Sequence, residues 1–370
     1  MGLNKVIIIP DSFKGTQTAR EATDIIASVV CAAFPVCKIV KMPIADGGEG
    51  SVDAVLSAIG GNIYEAQVQS PDNRQITAIY GISNNNTAVM EMAQSSGITK
   101  QTSLNPMTSN TFGFGQLILA ALEKNINDFI LCIGGSATTD GGCGMAAALG
   151  VKFTDKRGNG FVPCGKTLCD ITDIDMSGLD ERVKKSSFTV MCDVDNPLFG
   201  ENGAAYIYGP QKGANPDQVR FLDTGLRHYG DILRERFKRT YDEVSGAGAA
   251  GGLGAGCMAF LSATLKSGID TLLELYKFKE QCRDADLVIT GEGKLDSQSF
   301  QGKVLSGILR ETGNIPIYSI CGICECDPAL LQEKNITVFQ TSEGITIEES
   351  MNAPEKYLKL AAKRAMDALL

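Results

Sequence analysis

Residues 5–15, KVIIIPDSFKG, decide how this chain is read. Val6–Ile9 is an unbroken apolar run, without the alternation of a half-exposed strand. Such a run marks a strand buried on both faces, as parallel sheets require. Pro10 stops it, a short polar stretch follows, and Thr18–Phe34 then carries apolar residues at helical spacing. Lys38–Ile44 reads as a second strand and Ser51–Ala58 opens a second helix. Strands alternating with helices imply a doubly wound parallel sheet. The pattern resumes near the other end, with strands expected at Asp286–Thr290, Ile315–Ile320 and Ile336–Gln340.

The middle of the chain reads differently. Tyr64–Gln69 and Ile76–Ile82 alternate, with Pro-Asp-Asn between them and Asn-Asn-Asn after them, which is antiparallel hairpin chemistry. Further strands are expected at Phe129–Ile133, Val151–Thr154 and Thr189–Cys192, alternating with Gly-rich loops. The fold class expected is therefore α/β. A Rossmann-like parallel sheet domain is built from both chain ends, 1–61 and 285–370, with a mixed-sheet α/β domain, 62–284, inserted into it.

A length of 370 residues suits two domains, and 44% apolar with 21% charged residues is ordinary globular composition. The net charge of −9 and the absence of long basic blocks argue against nucleic acid and anionic membranes as partners. The opening MGLNKVIIIPDS has an apolar run of four residues, too short for a signal peptide. Twelve Cys without such a signal point to reduced thiols in a cytoplasmic protein. Cys321-Gly-Ile-Cys324 is a lone CxxC, read as small buried residues after a strand rather than half of a zinc site.

Two motif matches lack their context. Gly160-Phe-Val-Pro-Cys-Gly165-Lys166-Thr167 fits G-x-x-x-x-G-K-[ST], but a polar turn precedes it and no clear helix follows. Gly246-Ala-Gly248-Ala-Ala-Gly251 fits G-x-G-x-x-G without a strand before it or an acidic ribose ligand after it. That run continues to Gly256 and leads into the helix-like CMAFLSATLK. It either cradles an anion or lets a helix pack closely.

Chemistry gathers instead at the ends of strands, where open α/β sheets bind ligands. The first strand ends in Pro10-Asp-Ser12-Phe-Lys14-Gly15, which offers Ser12 and Lys14 to a carboxylate or phosphate. The second ends in Asp46-Gly47-Gly48-Glu49-Gly50, two acids with close backbone approach, suited to Mg²⁺ or a hydroxyl. Gly134-Gly135-Ser136-Ala-Thr138-Thr139-Asp-Gly-Gly-Cys-Gly144 lies between a strand and the expected helix Met145–Leu149, and presents amides and hydroxyls to an anion. Asp193 follows a strand in CDVDNPLFG, placed for general-base work, since the only His, His228, sits in a helix-like stretch. Glu292, Lys294 and Asp296 end the strand at 286–290, with Lys303 beyond. Acids, lysines and Gly loops at successive strand ends are what a metal-nucleotide transferase needs.

Seven segments in order, PDSFKG, ADGGEG, GGSATTDGG, CDVDNPLFG, GPQKGA, GAGAAGGLGAG and TGEGKLDSQSFQGK, resemble the bacterial glycerate kinase family, of the type with two unlike α/β domains. The resemblance implies ATP-dependent phosphorylation of D-glycerate to 2-phosphoglycerate, with Mg²⁺. It implies Asp193 and Lys14 as catalytic residues. Ser12, Lys14, Asp46, Gly47 and Gly48 would contact substrate. Gly134, Gly135, Ser136, Thr138, Thr139 and Lys294 would bind nucleotide. Asp46, Glu49, Glu292 and Asp296 would hold the metal directly or through water. The alternatives are 3-phosphoglycerate as product, a nicotinamide-dependent dehydrogenase on a similar sheet, and a two-lobed solute-binding protein.

Overall fold

The computed structural model describes residues 3–13, 15–44, 48, 50–300 and 304–370. Lys14, Asp46, Gly47, Glu49 and Lys303 lie outside them. The chain divides into two compact units, one of Met1–Asp46, Asp53–Gly60 and Gly268–Leu370, the other of Gly47–Val52 and Gly61–Ser267.

The first unit holds a five-stranded parallel sheet, in the order Ile336–Gln340, Ile317–Cys324, Leu287–Leu295, Lys5–Ile8, Lys38–Lys41. The strand Lys5–Ile8, KVII, lies between Leu287–Leu295 and Lys38–Lys41 and is buried throughout, which is why the run shows no alternation. Helix Ala19–Ala33 starts at a capping box: Thr18 Oγ1 accepts from the Glu21 amide, and Glu21 accepts from the Thr18 amide. Ser12 is therefore not the cap of this helix. Ala22, Ile26 and Val30, four apart, are buried against the sheet together with Leu358, Ala361 and Ala365 of helix Pro354–Asp367.

Three expectations differ from the structure here. The strand expected to end at Thr290 continues through the acidic and glycine motif to Leu295, because Lys294 pairs with Ile323 and Leu295 with Cys324. The CxxC likewise lies inside the strand Ile317–Cys324 rather than after it. Residues 268–284, assigned from sequence to the inserted domain, fall in the first unit, where Gly268–Leu275 and Phe278–Cys282 pack on Val304–Thr312.

The second unit carries a six-stranded mixed sheet, in the order Thr264–Lys266, Ser187–Met191, Asp128–Cys132, Thr87–Glu91, Gln75–Ser83, Gly61–Gln69. The last two strands form the expected hairpin, turning at Asn73 with φ 62°, a conformation Asn tolerates. The four strands from Thr87–Glu91 to Thr264–Lys266 are mutually parallel. A small antiparallel sheet, Gly160–Phe161, Lys152–Thr154 and Asp173–Asp175, sits beside them in sequence. The core packs Phe114, Leu117 and Ile118 of helix Phe112–Leu122 with Phe129 and Leu131 of the sheet, and Phe129 stacks on Phe188 at 4.7 Å.

The segment expected as a helix from Cys257 to Lys266 divides. Helix Ala249–Leu261 is interrupted by a left-handed kink at Ala250, Gly251 and Gly252, Ser262 turns left-handed at φ 53°, and Thr264–Lys266 becomes an edge strand. Among the described residues no helix is long and apolar enough to cross a membrane.

Candidate active site

In the first unit the strand order reverses between Lys5–Ile8 and Leu287–Leu295. Chain continues outward to Lys38–Lys41 on one side and to Ile317–Cys324 on the other. Such a switch point opens a crevice at the carboxyl ends of the strands. Ser12 and Glu292 emerge there. The Asp11 amide donates to the Gly291 carbonyl at 2.8 Å, which joins the two segments, and Asp11 Oδ1 accepts from the Ser12 amide. Glu292 is half-buried and accepts from Ser299 Oγ at 2.9 Å, and Ser299 Oγ also meets the Asp296 amide at 3.3 Å. Glu292 and Asp296 are thus tied through one hydroxyl.

Lys294, expected to bind nucleotide, is exposed and paired with Glu325 at 2.8 Å and Asp296 at 3.7 Å. The Glu325 carboxylate, with Asp296 behind it, raises its pKa. Burial pushes the Cys326 thiol up to about 11 and Cys321 higher. Metals bind the thiolate, so these groups are poor ligands as they stand.

In the second unit the parallel register brings the strand ends level. Glu91 pairs with Cys132, Cys132 with Met191, and Met191 with Lys266. Everything that follows these residues therefore leaves along one edge of the sheet. Gly134 and Gly135 follow Cys132 and remain accessible, and Asp193 follows Met191 and is exposed. The loop bearing Asp193 is seated on the glycine run. The Gly248 amide donates to the Asn196 carbonyl at 2.9 Å, Ser245 Oγ donates to Asp195 at 2.5 Å, and the Leu198 amide donates to the Asp242 carbonyl.

The glycine run answers the alternative left by the sequence in favour of packing. Ala250, Gly251 and Gly252 take left-handed conformations. A Cβ at Gly251 would lie 2.0 Å from the Thr138 carbonyl oxygen, and one at Gly256 2.4 Å from that of Gly141. The run exists so that this helix can lie against the 138–142 backbone.

The 134–144 loop is divided in role. Ser136 to Asp140 are buried, and the Thr138 and Thr139 hydroxyls have no partner among the described residues. Asp140 accepts from the Thr111 amide and hydroxyl and from the amides of Gly142 and Gly144. Its carboxylate thereby joins helices Phe112–Leu122 and Cys143–Ala148. Burial pushes it above the usual carboxylate range, against the pull of those four donors.

Sequence reasoning missed two charged residues of this edge. Glu91 is 2% exposed, ends a fully buried strand and accepts from the Val52 amide at 2.8 Å, at the start of helix Ser51–Ile59. A carboxylate closing the apolar run TAVME was the available signal, because a buried charge must have partners. Lys212 is 1% exposed, and its Nζ donates to the Thr138 carbonyl at 2.6 Å. It lies within the motif GPQKGA.

Burial pushes Lys212 down to about 7, with Asp140 pulling it back up. Its ordinary value is 10.5. Between those values the unfolded chain holds a proton that the folded chain gives up, so stability rises with pH. The full penalty applies below about pH 7 and fades toward 10.5. We expect the unfolding free energy of the native protein, relative to Lys212→Met, to climb between pH 7 and 10 by at most about 1.4 kcal/mol per unit. Urea titrations across that range check this; a flat or falling difference would refute it.

The Walker-like match is not a phosphate loop. Gly160–Phe161 is an antiparallel strand, and Gly165–Asp170 is a 3-10 turn rather than a helix. Lys166 is exposed at a cavity of about 460 Å³ lined also by Gln69, Asn110 and Phe112. Lys166→Ala is expected to leave turnover within about twofold, since the strand and helix of a P-loop are missing. A hundredfold loss in a folded variant, measured at saturating substrates, would reverse that reading.

Known proteins place this arrangement. The family model of the glycerate kinase family matches residues 6–370. A glycerate kinase of Bacillus subtilis strain 168 is 39% identical, over 97% of this chain and 96% of its own. A glycerate 2-kinase of Escherichia coli K12 is 41% identical, over 94% and 93%. A crystal structure from Salmonella typhimurium LT2, provisionally assigned as glycerate kinase 2, superposes with a TM-score of 0.87 at 34% identity, covering 100% of this chain and 98% of that one. With its full length matched and its strand-end motifs folded as described, this chain belongs to the glycerate kinase family, a family of phosphotransferases.

Proposed function

We propose that this chain transfers the γ-phosphoryl group of ATP to the 2-hydroxyl of D-glycerate, giving 2-phosphoglycerate and ADP. One observation carries the reading: an exposed carboxylate, Asp193, shares a sheet edge with the accessible Gly134–Gly135 backbone, in a chain of this family. Asp193 takes the proton of the attacking hydroxyl as its oxygen bonds to the γ-phosphorus and the bond to the β-phosphate oxygen breaks. The Gly134 and Gly135 amides, with Ser136, receive phosphate oxygens. Ser12 and Lys14 hold the substrate carboxylate or the moving phosphoryl group, with Asp46, Gly47 and Gly48 on the glycerate. Lys294 contributes charge toward the nucleotide.

Glu292 and Asp296 suit Mg²⁺. They are hard oxygen donors, Ser299 Oγ holds the Glu292 carboxylate while accepting from the Asp296 amide, and Mg²⁺ binds through one or two carboxylates plus phosphates and water. Among the described residues no group of three or more carboxylate, thiol or imidazole ligands could hold a metal. Asp46 and Glu49 would complete the set. When bound, the ion would neutralise phosphate charge. The twelve cysteines are all free thiols, which supports a cytoplasmic setting.

Incubation with Mg-ATP and D-glycerate, followed by ³¹P NMR of the product, tests the reading. ADP with 2-phosphoglycerate is expected. 3-Phosphoglycerate would overturn the regiochemistry and keep the kinase. No ADP release, or NADH formation from glycerate with NAD, would overturn the kinase.

A further inference from the structure

A lysine is costly to bury, and Lys212 is buried on a main-chain carbonyl rather than on a carboxylate. It ends the turn Pro210–Lys212, which Gly213 closes at φ 93°. Its ammonium reaches a residue 74 positions away in the chain. That residue, Thr138, sits in the middle of the loop whose outer lip is Gly134–Gly135. The near side of this lip is fixed by the main chain: the Ile98 amide donates to Gly135, and the Ala137 amide donates to Ser96. Its far side turns inward at Thr138, where the carbonyl points at Lys212. An ordinary βα loop satisfies such a carbonyl with an amide or water. Here a lysine amine is used, and the two threonine hydroxyls beside it stay unpartnered among the described residues.

We propose that Lys212 is the positioning residue of the nucleotide-binding loop: its ammonium clamps the Thr138 carbonyl and so fixes the Gly134–Ser136 lip in the form that receives phosphates. The inference rests on the phosphate role proposed above for that loop. Lys212 acts through the loop, with its charge spent on Thr138. Asp140 is the charged group facing it, and holds the other end of the buried stretch. The neighbouring Tyr229 hydroxyl, which donates to the Gly141 carbonyl, and the Cys143 thiol are pushed up by burial and stay neutral near pH 7. A lysine that burial brings to about 7 makes the clamp sensitive to pH on either side of that value.

The test compares native protein with Lys212→Met and Lys212→Gln, the latter keeping a donor without the charge. Readouts are Mg-ATP binding by calorimetry at pH 6 and 9, steady-state kinetics, and hydrogen exchange over residues 134–144. In Lys212→Met we expect the Mg-ATP dissociation constant to rise at least about tenfold, in the usual range for losing a support of a binding group. The glycerate KM and kcat at saturating ATP should move far less, and exchange in 134–141 should quicken. Mg-ATP affinity of the native protein should weaken from pH 6 to 9, and that of Lys212→Met should not. Lys212→Gln should fall between them, and it stands in if Lys212→Met does not fold. A folded variant that binds Mg-ATP as tightly as the native protein overturns the clamp. If Mg-ATP fails to protect 134–144 in the native protein, the phosphate role of the loop falls, and the clamp with it.

Discussion

Asp193→Asn is expected to lower kcat by about 10²–10⁴-fold, the usual value of general-base work. The single imidazole, His228, lies half-buried in helix Pro216–Phe237 with its Nε2 2.7 Å from the Ile171 carbonyl, so it is already engaged away from the strand ends. Asp193 is exposed, two residues beyond a strand end, at the edge where Gly134 and Gly135 emerge. Asparagine keeps the shape and removes the charge, so the loop's bonds through Asp195 and Asn196 remain. Phosphoryl transfer depends mostly on positioning and charge neutralisation, so a lost base should show in turnover and leave the Mg-ATP dissociation constant within about threefold. Single-turnover kinetics with calorimetry separates the two. Near-normal kcat with lost Mg-ATP affinity would make Asp193 a metal ligand, and the base would then be sought among Asp46, Glu49 and Asp296.

Gly251→Ala should be among the most destabilising single-methyl substitutions in the chain. The backbone there is left-handed, φ 71°, and the added Cβ would lie 2.0 Å from the Thr138 oxygen and 2.7 Å from the Thr139 Cα. Both contacts are backbone atoms that cannot swing away. Backbone strain of about 1–3 kcal/mol and overpacking of about 1–3 kcal/mol add to roughly 2–6 kcal/mol. For a protein of this size that lowers Tm by roughly 3–8 °C. Gly158→Ala is the control. Its φ is 81°, but nothing lies within 4 Å of the added Cβ, so only the strain of about 1–2 kcal/mol remains. Thermal unfolding of both separates strain from collision. Equal losses would mean that the helix can withdraw from the loop at no cost.

What the sequence determined follows from period and punctuation. The unbroken run at Val6–Ile9, the helical spacing after Thr18 and the alternation at 64–82 are local patterns, each produced by the residue's own neighbours along the chain. They were enough for the parallel sheet and the mixed sheet. The strand-end motifs were legible for the same reason, since Gly, Asp and Ser clusters after apolar runs mark where a strand stops and a ligand can approach.

Tertiary structure decided whatever depends on a distant partner. Gly291–Leu295 composes like a loop and is a strand because Ile320–Cys324 supplies its ladder. The 246–256 run composes like an anion cradle and is a packing surface because the 138–142 backbone lies against it. Thr138 and Thr139 read as outward hydroxyls and are buried. Glu91 and Lys212 carry no mark of burial in their own residue types and are interior, with partners at Val52 and Thr138. Burial of a charge is a property of the place where the chain puts it, and its cost is met only by groups that folding brings there.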